Sequence, residues 1–268
     1  MKAPNRIELK FRQLKAQKKK AMIVFVTAGD PSLKATEDLV LSLGRSGVDL
    51  IELGIPFSDP LADGPTIQAS YQRALRRHVN CDDILRLVKR VRSRTQVPVV
   101  LMTSYNPVFH YGEELFVKKA KSAGVDGIIV PDLPPEEAQN LIRAGRQNNF
   151  ATVFLLAPTT SKERMKKIIS ASRGFVYYVS LTGVTGARKK LPSDLPKSVR
   201  LARSLSAKPV CVGFGISSAA QVRAVSRFSD GVIVGSAVVN TIARNAGKKD
   251  LVKRVTRFVQ SLSKGLSR

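Results

Sequence analysis

The sequence predicts an α/β protein: a closed (β/α)8 barrel of the TIM type with extra N-terminal and C-terminal helices. Three observations carry that expectation. Eight short apolar, β-branched runs recur along the 268 residues, each continuous rather than alternating, as parallel strands covered on both faces require. Segments of helical periodicity lie between them, and strands alternating with helices imply right-handed crossovers. One unit is also used three times, as SGVDLIEL (46–53), AGVDGIIV (123–130) and FSDGVIVG (228–235), while the intervening strands begin differently, with VPVVLM and KPVCVG. Eight strands of two alternating types fit a barrel of roughly 250 residues. An open doubly wound sheet would usually carry a GxGxxG turn after its first strand, where this chain has VTAGDP.

The elements follow in order. Ile7, Phe11 and Leu14 fall at i, i+4 and i+7 and mark an N-terminal helix. The strands are MIVFV (22–26), VDLIEL (48–53), VPVVLM (97–102), VDGIIV (125–130), ATVFLL (151–156), FVYYV (175–179), PVCVG (209–213) and GVIVG (231–235). Helical stripes between them include Leu39, Val40 and Leu43; Ile84, Leu87, Val88 and Val91; and Leu115 with Val117 and the apolar end of 111–123. Leu251, Val255, Phe258, Val259 and Leu262 close the chain as a second extra helix. Nothing marks a domain boundary, so residues 1–268 read as one domain. The basic residues around the end helices, Lys15, Lys18, Lys19 and Lys20, then Lys248, Lys249, Lys253, Arg254 and Arg257, are expected mostly on outer faces.

Composition bounds the function. At 43% hydrophobic residues the chain has enough apolar material for a large core. No stretch approaches the roughly 18 uninterrupted apolar residues of a membrane span, and the N-terminus has no secretory pattern, so a soluble, cytoplasmic protein is expected. Cys81 and Cys211 are the only cysteines, without a CxxC partner or nearby histidines; a reducing compartment is expected and no metal site. His78 and His110 are isolated and read as surface or capping residues. The formal charge of +25, from 45 Lys+Arg against 20 Asp+Glu, favours anionic ligands. Nucleic acid is not expected: aromatics are 6%, Trp is absent, and the basic residues are spread from end to end.

In such a barrel the site forms at the C-terminal ends of the strands. Glu52 ends the second strand there and begins the stretch ELGIPFSDPLADGPTIQ (52–68). Two readings are open for it: a general acid or base with raised proton affinity, or a structural carboxylate bonded to a neighbouring group. Pro56, Pro60 and Pro65 stiffen the following loop. Asp59 reads as turn chemistry. Asp63 is either a turn and helix cap or the second carboxylate of a two-carboxylate mechanism. GFGISS (213–218) and VGSAVV (234–239) follow the last two strands; their glycines precede helix starts that either bind phosphate or only allow tight turns. SLTGVTGARKKLP (180–192), with Arg188, Lys189 and Lys190, is either a lid or a plain surface loop.

FVTAGDP (25–31), ELGIPFSDPLADGPTIQ, SLTGVTGAR (180–188), GFGISS and VGSAVV, in this order over nearly the whole chain, together resemble the tryptophan synthase alpha subunit family. The resemblance implies a lyase of tryptophan biosynthesis that cleaves indole-3-glycerol phosphate to indole and glyceraldehyde 3-phosphate. It implies Glu52 as proton donor and acceptor, and Asp63 as the group that holds the indole N–H. Phe25 and Tyr177 match positions lining the indole pocket. Gly186, Phe214, Gly215, Gly235 and Ser236 match positions around the phosphate, and Thr185 matches a lid residue that pairs with the mobile aspartate. It further implies no cofactor in this chain, and a beta subunit carrying pyridoxal phosphate in an alpha2beta2 heterotetramer. In LMTSYNP (101–107), Ser104 stands where the family often has the first of two tyrosines. That departure keeps open a catalytically weak subunit that activates a beta partner, although the intact pair Glu52 and Asp63 argues against it; a free-standing lyase is a further alternative.

Overall fold

Every apolar run of the sequence becomes a parallel strand in the computed structural model, which describes residues 3–60, 62–179, 192–213 and 215–266. The first half comprises α1 (Arg6–Ala16), β1 (Ala21–Thr27), α2 (Leu33–Arg45), β2 (Leu50–Gly54), α3 (Pro65–Leu75), α4 (Cys81–Arg92), β3 (Val99–Met102), α5 (Tyr105–Tyr111), α6 (Glu113–Ala123) and β4 (Gly127–Ile129). The second comprises α7 (Gln139–Gln147), β5 (Ala151–Val153), β6 (Leu155–Leu156), α8 (Lys162–Ala171), β7 (Val176–Val179), α9 (Leu195–Leu205), β8 (Val210–Gly213), α10 (Ala219–Ser226), β9 (Gly231–Val234), α11 (Ser236–Arg244) and α12 (Leu251–Ser263). The sheet order is β5-β4-β3-β2-β1-β9-β8-β7-β6. Since β5 and β6 are separated only by Phe154, the segment 151–156 carries β4 at one end and β7 at the other, and the sheet returns on itself as a nearly closed barrel.

The expected fifth strand, ATVFLL, is thus two short segments. At the break, the Phe154 N–H leaves the ladder and donates to the Ser172 hydroxyl (3.3 Å), while its carbonyl still accepts from Tyr177 (3.1 Å). One helical expectation also fails. Leu115 is 50% exposed, and α6 instead buries Phe116, Val117, Ala120 and Ala123.

The repeated unit has a physical basis at the N-terminal end of the barrel. Its aspartate recurs as Asp49, Asp126 and Asp230. Each donates its backbone N–H to a carbonyl on an adjacent strand, Met22, Val99 or Val210 (2.9, 2.9 and 2.8 Å). The side chain of each accepts the N–H of that same residue (3.0, 3.0 and 3.1 Å). One residue so satisfies both backbone groups where a strand begins, groups that are costly to leave unpaired once buried.

Alternation sorts the strand residues into two sets. Met22, Val24 and Val26 join the core between strands and helices. Ala21, Ile23, Leu50, Val100, Ile129, Phe175 and Cys211 fill the barrel interior. Helix α1 lies across the N-terminal end and adds Ile7, Phe11 and Leu14 to that interior, with the Phe11 and Phe175 rings 5.8 Å apart. The C-terminal end is the one left for chemistry.

Candidate active site

Register and alternation together turn Glu52 inward. It pairs with Phe25 on β1 and Val100 on β3, two residues whose side chains point into the barrel. The side chain is 1% exposed, and Oε1 is buried with no hydrogen-bond partner among the described residues. A buried carboxylate without a partner is costly, so the neutral acid is favoured; burial raises the Glu52 pKa from 4.5 to about 8. A structural carboxylate would have both oxygens satisfied by neighbours; among the described residues Oε1 has none.

Tyr71, Tyr177 and Cys211 surround this carboxyl group closely enough for its charge to raise their own pKa values, after the larger effect of burial. Two glycines make room for the rings. A Cβ on Gly54 would lie 2.5 Å from the Phe25 ring, and one on Gly213 would collide with the Tyr177 hydroxyl. Phe25 then packs with Ile67, Tyr71 and Val239, and against Met102, as an apolar cluster at the mouth.

The loop after β2 brings in the second carboxylate. Asp59 is exposed, in keeping with turn chemistry, and Pro56 and Pro60 are buried. Asp63 does not cap the helix. Gly64 is the N-cap of α3, without a side-chain bond, and Pro65 follows at the first helical position. The Asp63 N–H donates to the Pro60 carbonyl (3.4 Å) and its carbonyl accepts from Gln68 (2.7 Å). The half-buried carboxyl group faces the Tyr71 hydroxyl instead. Its pKa rises to about 6, chiefly through burial and secondarily through Asp132, against the opposing pull of Tyr71. Burial raises the Tyr177 pKa, and the charges of Glu52 and Asp63 both add to the rise.

The two glycine-serine turns are not equivalent. At α10, Ser218 caps its own helix by accepting the Gln221 N–H (3.3 Å), and the Ser217 N–H donates to the Gln221 side chain (2.8 Å). At α11 the N-cap is Gly235, with no side-chain cap, and Ser236 is the first helical residue. Of these two helices, α11 is the one with an uncapped N-terminus, the end whose N–H groups and dipole attract an anion. Gly235 sits beside Phe25, where an added Cβ would be 3.6 Å from the Phe25 Cβ, and so borders the apolar cluster. Gly215 is half-exposed. Thr185, Gly186 and the rest of 180–191, together with Phe214, lie outside the described residues.

Tyr71 and Asp132 are the mouth residues that sequence reasoning missed. Tyr71 had a signal: Ile67, Ser70, Tyr71 and Ala74 form a buried stripe at helical spacing immediately after the aspartate loop. Asp132 had none, because its role is tertiary. It accepts the Tyr105 N–H (2.9 and 3.1 Å) at the start of α5, where Ser104 is an N-cap without a side-chain bond. No group of three His, Cys, Asp or Glu able to hold a metal ion occurs among the described residues.

The chain is similar to known proteins over nearly its whole length. The pattern of the family described as "Tryptophan synthase alpha chain" matches residues 11–267. A tryptophan synthase alpha chain of Caldanaerobacter subterraneus is 49% identical, over 96% of this chain and 98% of the relative. One of Geotalea daltonii is 47% identical, over 98% and 99%. Among solved structures, tryptophan synthase subunit alpha of Legionella pneumophila superposes with a TM-score of 0.91 at 41% identity, covering 98% of this chain and 99% of that one. A structure of Mycobacterium tuberculosis tryptophan synthase gives 0.90 at 37% identity, with 98% and 99% covered.

Proposed function

The chain belongs to the tryptophan synthase alpha chain family, the carbon–carbon lyase that cleaves indole-3-glycerol phosphate to indole and glyceraldehyde 3-phosphate in tryptophan biosynthesis, and from that premise we propose which of its residues carry the reaction. Glu52 is the proton carrier and Asp63 the indole-holding carboxylate. The observation that supports this is the buried, unpartnered Oε1 of Glu52 at the barrel mouth.

The two carboxyl groups differ in proton affinity, and that difference assigns their roles. With a pKa of about 8, Glu52 holds its proton at neutral pH; with one of about 6, Asp63 is mostly ionised. Indole is a poor leaving group until its C3 gains a proton and its nitrogen takes up positive charge. Glu52 donates that proton to C3, while Asp63 accepts the indole N–H and stabilises the developing cation. The Glu52 carboxylate next takes the proton of the glycerol hydroxyl as the carbon–carbon bond breaks and the carbonyl of glyceraldehyde 3-phosphate forms. The bonding electrons return to the indole ring, and Glu52 ends protonated as it began.

Phe25 and Tyr177 line the indole pocket. The uncapped start of α11, Gly235 and Ser236, holds the phosphate together with Gly215; Gly186 and Phe214 complete that position by resemblance, and Thr185 serves the lid. An alpha chain needs no cofactor of its own and works with a beta-subunit partner. We assign pyridoxal phosphate to that partner, an alpha2beta2 heterotetramer to the assembly, a single barrel domain to residues 1–268, and the cytoplasm to the complex. No helix among the described residues is long and apolar enough to cross a membrane.

Glu52→Gln tests the assignment, because it preserves shape and removes the titrating proton. Indole release is expected to vanish while a glycerol phosphate ligand still binds. Near-normal turnover by this variant would refute Glu52 as the proton carrier.

A further inference from the structure

A groove of about 960 Å3 opens at the N-terminal end of the barrel, the end opposite Glu52. It runs between α1, the residues that lead into β1, β7 and β8, and the later turns of α9. Nine of its lining residues are Lys or Arg and two are acidic, a local excess of seven positive charges. Both acids are already answered. Glu8 accepts two bonds from Arg173 (3.1 and 3.2 Å). Asp230 accepts two from Arg203 (3.0 and 2.8 Å), with Lys20 at 3.6 Å. Lys15, Lys18 and Arg200 are exposed and have no ion-pair partner among the described residues. Like charges this close repel one another; the Lys208 pKa is lowered chiefly by burial and secondarily by Arg146, which lies outside the groove.

Self-repulsion of this kind is relieved by a bound polyanion, and phosphate oxygens match both Lys and Arg donors. A single phosphate would neutralise a small part of the excess. Nucleic-acid bases have nothing to stack on, because Phe11, the only aromatic residue in the groove, is 7% exposed. The repeat aspartate Asp230 and the barrel-closing helix α1 form part of the walls, so the groove rests on fixed elements. We propose that it is a second anion site, taking a compact small molecule with several linked phosphates, separate from the phosphate position at the mouth.

Inorganic triphosphate is the probe. Calorimetric titration of this chain at low salt, with glycerol 3-phosphate saturating the mouth, is expected to show one triphosphate bound and much weaker binding of orthophosphate. Added salt is expected to weaken the affinity. The double variant Lys15→Glu/Arg200→Glu changes exposed side chains only. It is expected to lose affinity by about tenfold or more, from the reversal of two charges, while still cleaving indole-3-glycerol phosphate, which reports an intact fold. Absence of triphosphate binding by the unmodified chain, or equal affinity in the variant, would overturn the proposal. Tighter binding of a short oligoribonucleotide than of triphosphate would also overturn it, in favour of a nucleic-acid backbone.

Discussion

Glu52 stores a cost in the fold, a buried carboxyl group whose Oε1 has no hydrogen-bond partner among the described residues. Below pH 4.5 its carboxyl group is neutral in both folded and unfolded chains. Between 4.5 and about 8 the unfolded chain releases the proton and the native chain retains it. The native state then binds more protons, so stability falls as pH rises, by about 1.4 kcal/mol per pH unit from this residue. Above about 8 both states are ionised and the cost is constant. Glu52→Gln removes the slope, so the variant is expected to gain stability relative to the parent between pH 5 and pH 8. Urea midpoints of both proteins at the two pH values check it; parallel changes would show that Glu52 ionises as an ordinary surface carboxylate does. At this scale Glu52 and Asp63 were legible, because a glutamate ending an apolar strand and an aspartate in a proline-stiffened loop are local features. Tyr71 carried a local signal in the buried stripe of α3, whereas Asp132 meets Tyr105 across 27 positions, so one stretch read alone cannot reveal it.

The elements were legible wherever one period governed a segment. Continuous runs gave the strands, and the 3.6-residue stripes of α2, α4 and α12 gave buried faces close to those expected. The break at Phe154 was hidden because the residues on both sides are apolar; what ends the ladder is the Ser172 hydroxyl, from the far end of the next helix. Leu115 misled because α6 turns Phe116 and Val117 inward, and its neighbour on the wheel faces solvent. The two glycine-serine turns looked alike in sequence, yet Ser218 closes one helix start and Gly235 leaves the other open. Helix α1 read simply as an extra helix, and the structure shows it completing the barrel interior. Ile7 is wholly buried there, so Ile7→Ala is expected to lower unfolding free energy by about 2–5 kcal/mol. Catalysis per folded molecule should be retained below the transition. Chemical denaturation with an indole-release assay on the same sample separates the two effects; an unchanged midpoint would mean that α1 contributes no core.

For the molecule as a whole, the charge that resisted explanation in the sequence divides by position. Several acids are committed at the N-terminal end, Asp126 between Arg6 (2.9 Å) and Arg92 (3.3 Å) among them. The cations of the groove outnumber the acids beside them. At the mouth the described charged groups include Glu52, Asp63 and Asp132, and the Asp132 charge adds to burial in raising the Asp63 pKa. Family membership was legible because its motifs are local and ordered along the chain. Any effect of a partner on turnover was not, since it would rest on surfaces that one chain does not contain. Indole release is expected to be slow from this chain alone and to rise strongly when a beta subunit is added. Fast unaided release would identify a free-standing lyase, and stimulation of the partner without cleavage a silent activator.

Ile7, Phe11 and Leu14 stopper one end of the cylinder, so the vessel has a single doorway. Reactant and both products then share one threshold. Whatever docks over that opening governs traffic in both directions.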